Sequence, residues 1–309
     1  MSGVTAIVFP GQGSQRPGMG RDFHDAFPAA REAFREASEA AGIDLAELSF
    51  GEDERLNLTE FTQPSILTAE IAMFRVLSTE LGLEAGLFAG HSLGEYTALV
   101  AAGALELGRA ARLVRRRGAL MQEAVPAGEG AMLAIIGKEL DLDELRRAIA
   151  DLEVDAANHN SPSQIVVSGR ARDVDAARER LAAAGRRCVP LNVSAPFHSR
   201  FMRVIEPAFA AELDGASLRA ERAAQVLSNY TGAPHPPDAA GVRENLVRQI
   251  GATVRWVDDM REIAARATRV VEVGPGRPLS GFFREIGVTT VSITNLRSAE
   301  KALRGGEAQ

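Results

Sequence analysis

Two kinds of stretch alternate along this chain. Short apolar runs rich in β-branched residues fit strands buried on both faces. Longer stretches carry apolar residues every three or four positions and fit helices packed on one side. Residues 4–9 are a run of the first kind, and Leu87-Phe-Ala89 is a short apolar run fit for a buried strand end. Residues 28–41 are alanine- and charge-rich and helical. A second helix is opened by Phe61-Thr-Gln-Pro64, with Pro64 expected at its first position and Leu67, Ile71, Phe74 and Leu77 on its core side. Residues 95–102 and 107–123 predict two more helices, the second stopped before Pro126 and Gly128. Beyond residue 196 the alternation resumes. Strands are expected at 224–228, 270–273 and 290–293, helices ending at Ile250 and spanning 254–265, and then a polar tail. Such alternation predicts an α/β protein whose mostly parallel sheet is flanked by helices.

The middle of the chain reads differently. Strand 131–136, helix 141–152, strands 154–158 and 165–168 around a turn at 160–163, a helix carrying Val174, Ala177, Leu181 and Ala184 and capped by Gly185, and strand 187–193 follow one another. The order β-α-β-β-α-β is that of a split βαβ, ferredoxin-like unit. Residues 129–195 are therefore expected to form a small inserted subdomain, and 1–128 with 196–309 the large one. A boundary between two subdomains is a usual place for a cleft.

Composition narrows the function classes. A chain of 309 residues with net charge −6 and no long basic run is a poor nucleic-acid binder. No apolar run reaches the ~18 residues of a membrane span. The N-terminus lacks the basic start and cleavage site of a signal peptide. The single cysteine, Cys188, cannot form an internal disulfide, which fits a reducing cytoplasm. The five histidines are scattered, with no His-x-x-x-His pair, so no metal site is expected.

Four stretches carry candidate chemistry. Gly90-His91-Ser92-Leu93-Gly94, between an apolar run and a helix, has the Gly-x-Ser-x-Gly pattern of a nucleophile elbow. A helix-capping serine in a Gly-rich turn is the other reading. Pro10-Gly-Gln-Gly-Ser-Gln15 follows a strand; it lacks the Lys-Ser/Thr of a P-loop and reads as an oxyanion-binding loop or as a tight structural turn. In the helix 107–123, Arg112 and Arg116 point away from the apolar stripe, whereas Arg117 lies at its edge, nearer than Arg115. An inward arginine needs an anion, supplied by a structural ion pair or by a substrate. His198, in Pro196-Phe-His198, sits at the return to the large subdomain and C-terminal to Ser92, the chain order of nucleophile and base in elbow enzymes. A structural role is the alternative.

Together with Thr62-Gln-Pro64, Asn160-Ser-Pro162, Leu246-Val-Arg-Gln249 and Glu272-Val-Gly-Pro-Gly276, these motifs make the whole chain resemble the malonyl-CoA:acyl carrier protein transacylases. The resemblance implies a large α/β-hydrolase-like subdomain with a ferredoxin-like insert. It implies Ser92 as nucleophile and His198 as general base in a dyad, the histidine oriented by a main-chain carbonyl near Gln249 rather than by a carboxylate. The amides of Gln12 and Leu93 would form the oxyanion hole, and Arg117 would pair with the malonate carboxylate. Gln63, Asn160, Phe197, Gln249 and His91 would line the substrate pocket. Relatives that use methylmalonyl carry Gln where Leu93 stands and Ser where Phe197 stands, which implies malonyl here. The implied partners are malonyl-CoA and an acyl carrier protein bearing phosphopantetheine. No permanently bound cofactor, no nucleic acid and no membrane are expected, and the chain is expected to act as a cytoplasmic monomer. The pathway is fatty acid or polyketide synthesis. A hydrolase on the same scaffold and a non-catalytic synthase-binding subunit are the rival readings. Because carrier proteins are acidic, attraction would need a local basic patch; Lys138, Arg186, Arg187 and Arg203 are candidates, or simply solvated surface.

Overall fold

The computed structural model describes residues 3–126, 128–193 and 195–304. The strands in chain order are β1 (Thr5–Phe9), β2 (Leu87–Gly90), β3 (Gly130–Ile136), β4 (Val154–Ser161), β5 (Gln164–Arg170), β6 (Arg187–Pro190), β7 (Leu227–Ser228), β8 (Ala233–Pro234), β9 (Arg269–Val273) and β10 (Thr290–Ile293). They form a parallel sheet of order β10-β9-β1-β2, a separate antiparallel sheet of order β4-β5-β3-β6, and the small β7-β8 pair.

Side chains of β1 alternate between two cores, as the period of a strand dictates. Ile7 and Phe9 pack into the core built around the helices Thr59–Thr79 and Leu107–Glu123. Ala6 and Val8 face the opposite core with Ala89, Trp256, Met260 and Phe283. Burial on both faces explains why this sheet reads as continuous apolar runs. The antiparallel sheet is two-faced. Leu133, Ile135, Val167 and Ile165 pack on the helices Leu142–Ala148 and Ala171–Ala183 through Leu145, Val174 and Leu181. Met132, Ala134 and Val166 point the other way, toward the large core. That second face is one wall of a cavity.

The structure departs from the sequence expectations at several elements. The helix Thr59–Thr79 starts before Phe61, so Pro64 lies inside it rather than at its first position. Thr62 closes the first turn by donating to Leu58 O through both its amide and its hydroxyl. This helix is buried nearly all round, which a one-sided stripe understates. Gly118 makes its neighbour possible: a Cβ there would lie 2.4 Å from Thr59 O, so only glycine lets the two helices approach this closely. The run 224–228 does not add a full strand to the parallel sheet. Residues 224–225 form a turn after the short helix Ala220–Ala223, and the contact with β2 reduces to a Phe88–Val226 bridge. Residues 141–152 are helical only over Leu142–Ala148. The polar tail contains the helix Leu296–Arg304, whose Ala299 is buried and whose start is capped by Asn295 Oδ1 accepting from Ser298 N. β4 and β5 run further than expected, so Asn160 stands in a strand and not in a turn. Irregular pairing at Ala156/Asn158 and His159/Ser161 turns Asn158 and Asn160 toward the cavity. Among the described residues no helix is long and apolar enough to cross a membrane, and no cluster of His, Cys, Asp and Glu is suited to a metal ion.

Candidate active site

β2 ends at Gly90, and Ser92 turns the chain into the helix Leu93–Ala101. Ser92 has φ 53° and ψ −98°, a left-handed conformation that a residue with a Cβ adopts only under constraint. The flanking glycines are required by contact. A Cβ on Gly90 would lie 2.0 Å from Gly94 backbone, and one on Gly94 would lie 2.2 Å from Phe9 O. The loop after β1 is held equally close, with a Cβ on Gly11 falling 2.4 Å from His91 O.

His198 meets the serine from the loop preceding Arg200, itself with φ 56°. Ser92 Oγ lies 2.7 Å from His198 Nε2, and Gln249 O accepts from His198 Nδ1 at 2.9 Å. The carbonyl fixes the tautomer: Nδ1 carries the hydrogen, and Nε2 keeps a lone pair for the serine proton. Burial, aided by the positive charge of Arg117, pushes the imidazole pKa down to about 3. The ring is therefore neutral near pH 7 and ready to accept a proton.

Arg117 is buried, at 1 % exposure, on the helix Leu107–Glu123. Its Nη1 donates to Gln63 Oε1 at 3.0 Å, and its Nη2 to Gln249 Oε1 at 2.9 Å and Ser92 Oγ at 3.1 Å. The guanidinium carbon lies 5.3 Å from the centre of the Tyr96 ring. Its Nε has no partner, and it forms no salt bridge among the described residues. Burial lowers its pKa from the usual arginine value. The hydrogen bonds of this buried cation all go to neutral oxygens; the charge of Glu95, beyond Gln249, acts on it but no carboxylate touches it, so it can receive an anionic group.

Ser92, His198 and Arg117 open onto a cavity of about 880 Å³, also lined by Gln12, Leu93, Gln63, His91, Asn160 and Phe197. That volume suits a small-molecule substrate. Among the described residues neither the Gln12 nor the Leu93 amide donates a hydrogen bond, which leaves both free for a ligand oxygen. His91 Nε2 lies 2.8 Å from Asn160 Oδ1, and Asn160 Nδ2 donates to Gln164 Oε1 at 2.8 Å. Gln249, expected on the pocket wall, is not part of it. Its side chain lies behind Arg117, with Nε2 donating to Ser92 O at 3.0 Å and to Glu95 Oε2 at 2.6 Å.

Sequence reasoning passed over Asn229 and Glu95. Glu95 is fully buried and receives both Gln249 Nε2 and the Asn229 amide. Asn229 Oδ1 accepts from Ser92 N at 2.6 Å. The available signal was a polar Ser228-Asn229 pair directly after an apolar run, at the kind of strand end where α/β proteins place functional groups.

Comparison with known proteins places the chain in a family. Residues 6–279 match a family described as acyl transferase domain. A malonyl CoA-acyl carrier protein transacylase of Bacillus subtilis is 39% identical, covering 97% of this chain and 96% of the relative. A solved malonyl-CoA:acyl carrier protein transacylase from Xanthomonas oryzae is 42% identical, with a TM-score of 0.92 and 99% of both chains covered. A structure described as a type II PKS acyl-carrier protein in complex with its malonyl-transacylase is 38% identical, with a TM-score of 0.89 over 98% of this chain and 99% of the other. The chain belongs to the acyl transferase domain family and, within it, to the malonyl CoA-acyl carrier protein transacylases.

Proposed function

We propose that this protein moves the malonyl group of malonyl-CoA to the phosphopantetheine thiol of an acyl carrier protein through an ester on Ser92. The observation that carries the reading is Arg117, a buried cation with no ion pair that hydrogen-bonds the nucleophile's own oxygen. An enzyme that handled only neutral acyl groups would gain nothing from this charge and would bear its desolvation.

His198 Nε2 takes the Ser92 proton as Oγ attacks the thioester carbonyl. The oxyanion that develops is held by the free amides of Gln12 and Leu93, donors worth several kcal/mol in acyl transfer. Protonated His198 then returns its proton to the departing CoA thiol. The second half-reaction runs in reverse with the carrier's thiol, His198 acting as base toward it. Throughout, Arg117 holds the malonyl carboxylate. Phe197, beside the base, fills space that an α-methyl substituent would need, which favours malonyl over methylmalonyl. Gln63 keeps the guanidinium in place, and His91 with Asn160 shapes the far wall.

The parallel sheet is read as the α/β-hydrolase-like core of residues 1–128 and 196–309, and the antiparallel sheet as a ferredoxin-like insert at 129–195. The strand order β4-β5-β3-β6 supports the latter. The extender unit serves fatty acid or polyketide synthesis. Exposed Lys138 and Arg187 stand beside Ile136, on the cavity wall, and are candidate contacts for an acidic carrier protein. The reading is tested by incubation with malonyl-CoA followed by peptide mass spectrometry. The peptide bearing Ser92 is expected to gain one malonyl group, and Ser92→Ala to gain none. A mass shift on another residue would overturn it.

A further inference from the structure

Asn229 touches no reacting atom, yet its side chain closes around the elbow. Oδ1 accepts from Ser92 N at 2.6 Å, while Nδ2 donates to Gly90 O at 2.9 Å and to Asp259 Oδ2 at 2.8 Å. Its own backbone is pinned as well, the amide donating to Glu95 Oε2 at 3.0 Å and the carbonyl accepting from Arg255 N at 2.9 Å. The residue is fully buried. One carboxamide thus bridges the residues on either side of His91.

We propose that Asn229 is a positioning residue for Ser92, held in orientation by Asp259; the proposal rests on the malonyl-transfer reading of Ser92. A strained backbone persists only where its surroundings over-determine it. A carboxamide can do this here because it offers a donor and an acceptor in one plane. Aspartate would fit the same space but donate nothing. Asp259 decides which end of the amide faces the elbow: exchanging oxygen and nitrogen would set Oδ1 against both Gly90 O and Asp259, and Nδ2 against Ser92 N. Asp259 forms no salt bridge among the described residues, and burial raises its pKa well above the usual carboxylate range. Because Asn229 occupies the Ser92 amide, the next amide, that of Leu93, is the one the elbow leaves free for the oxyanion.

The test is rapid-quench malonylation of Ser92 at saturating malonyl-CoA, paired with the malonyl-CoA Kd of the same substitutions made in a Ser92→Ala background. Asn229→Asp is expected to slow acylation by about 10²-fold, the scale of a small misplacement of a reacting group, with Kd within about threefold. Asp259→Asn, which still presents an oxygen to Nδ2, is expected to acylate within about threefold of the native enzyme, and Asp259→Ala to fall between. A native rate per folded molecule in Asn229→Asp overturns the proposal, as does a loss carried wholly by Kd. If Asn229→Asp does not fold, a native rate in Asp259→Ala overturns it instead. Absence of acylation in the unsubstituted enzyme would contradict the malonyl-transfer reading, not the role of Asn229.

Discussion

Removing Arg117 separates substrate choice from acyl-transfer chemistry. Arg117→Ala deletes two terminal nitrogens that would grip a malonyl carboxylate. Each charge-assisted hydrogen bond contributes about 1.5–3 kcal/mol. Two of them give about 3–6 kcal/mol, or roughly two to four orders of magnitude in selectivity. The lower half of that range is favoured, because Nη2 already bonds Ser92 Oγ and Gln249 Oε1 and must share its hydrogens with the ligand. An acetyl group makes no use of the guanidinium, so its transfer should survive. The assay is single-turnover acylation of Ser92 with labelled malonyl-CoA and acetyl-CoA, scored as the ratio of the two kcat/KM values. That ratio is expected to fall by about 10²-fold or more. Arg117 also helps hold the His198 pKa down, so the acid limb of acetyl transfer should move to higher pH in the variant. A variant that still strongly preferred malonyl would refute the carboxylate role, and an unmoved acid limb would refute the electrostatic coupling.

Further outcomes follow from the same geometry. His198, with its pKa near 3 against an ordinary 6.5, should keep kcat/KM level well below pH 6.5; the limb in kcat should lie higher than in kcat/KM, because a bound carboxylate neutralises Arg117. In the window from 6.5 down to 3 the unfolded chain binds a proton that the folded site refuses, so this residue's contribution to stability is full above 6.5 and is lost as pH falls, measurable as urea midpoints. Gly118→Ala should overpack the helix contact at Thr59 O by about 1–3 kcal/mol and lower Tm by several degrees in calorimetry. Phe197→Ser should raise methylmalonyl transfer relative to malonyl in a competition assay; an unchanged ratio would remove Phe197 from specificity.

Where side chains repeat with a clear period, the fold was legible. Helices 28–41 and 107–123 match Pro28–Ala41 and Leu107–Glu123, and the strand 290–293 matches Thr290–Ile293, because one face or both faces are buried at regular intervals. Edges were not legible. Pro64 misled because it stands inside the helix, past the first turn where a proline costs no hydrogen bond, and the helix continues through it. Residues 224–228 carry strand composition, but they lie at the sheet margin, where only Val226 pairs with β2. The site divides in the same way. Ser92, Arg117 and His198 announced themselves through a turn motif, a helical phase and a chain order. Gln249 was reached only through the family resemblance and Asn229 not at all, because each acts by joining elements far apart in sequence. Gln249 ties Arg117, Ser92 and Glu95 through its side chain and His198 through its carbonyl, a convergence that no local pattern records.

In malonyl transfer as proposed, the ester on Ser92 waits for a thiol rather than for water. The most direct test is the discharge of isolated malonyl-enzyme, labelled in the acyl group and mixed with either buffer or holo carrier protein. The expected result is a base-labile adduct that carrier protein removes much faster than water does, with the label recovered on the phosphopantetheine thiol. Discharge at the same rate without carrier protein, with free malonate as the product, would contradict it and identify a hydrolase.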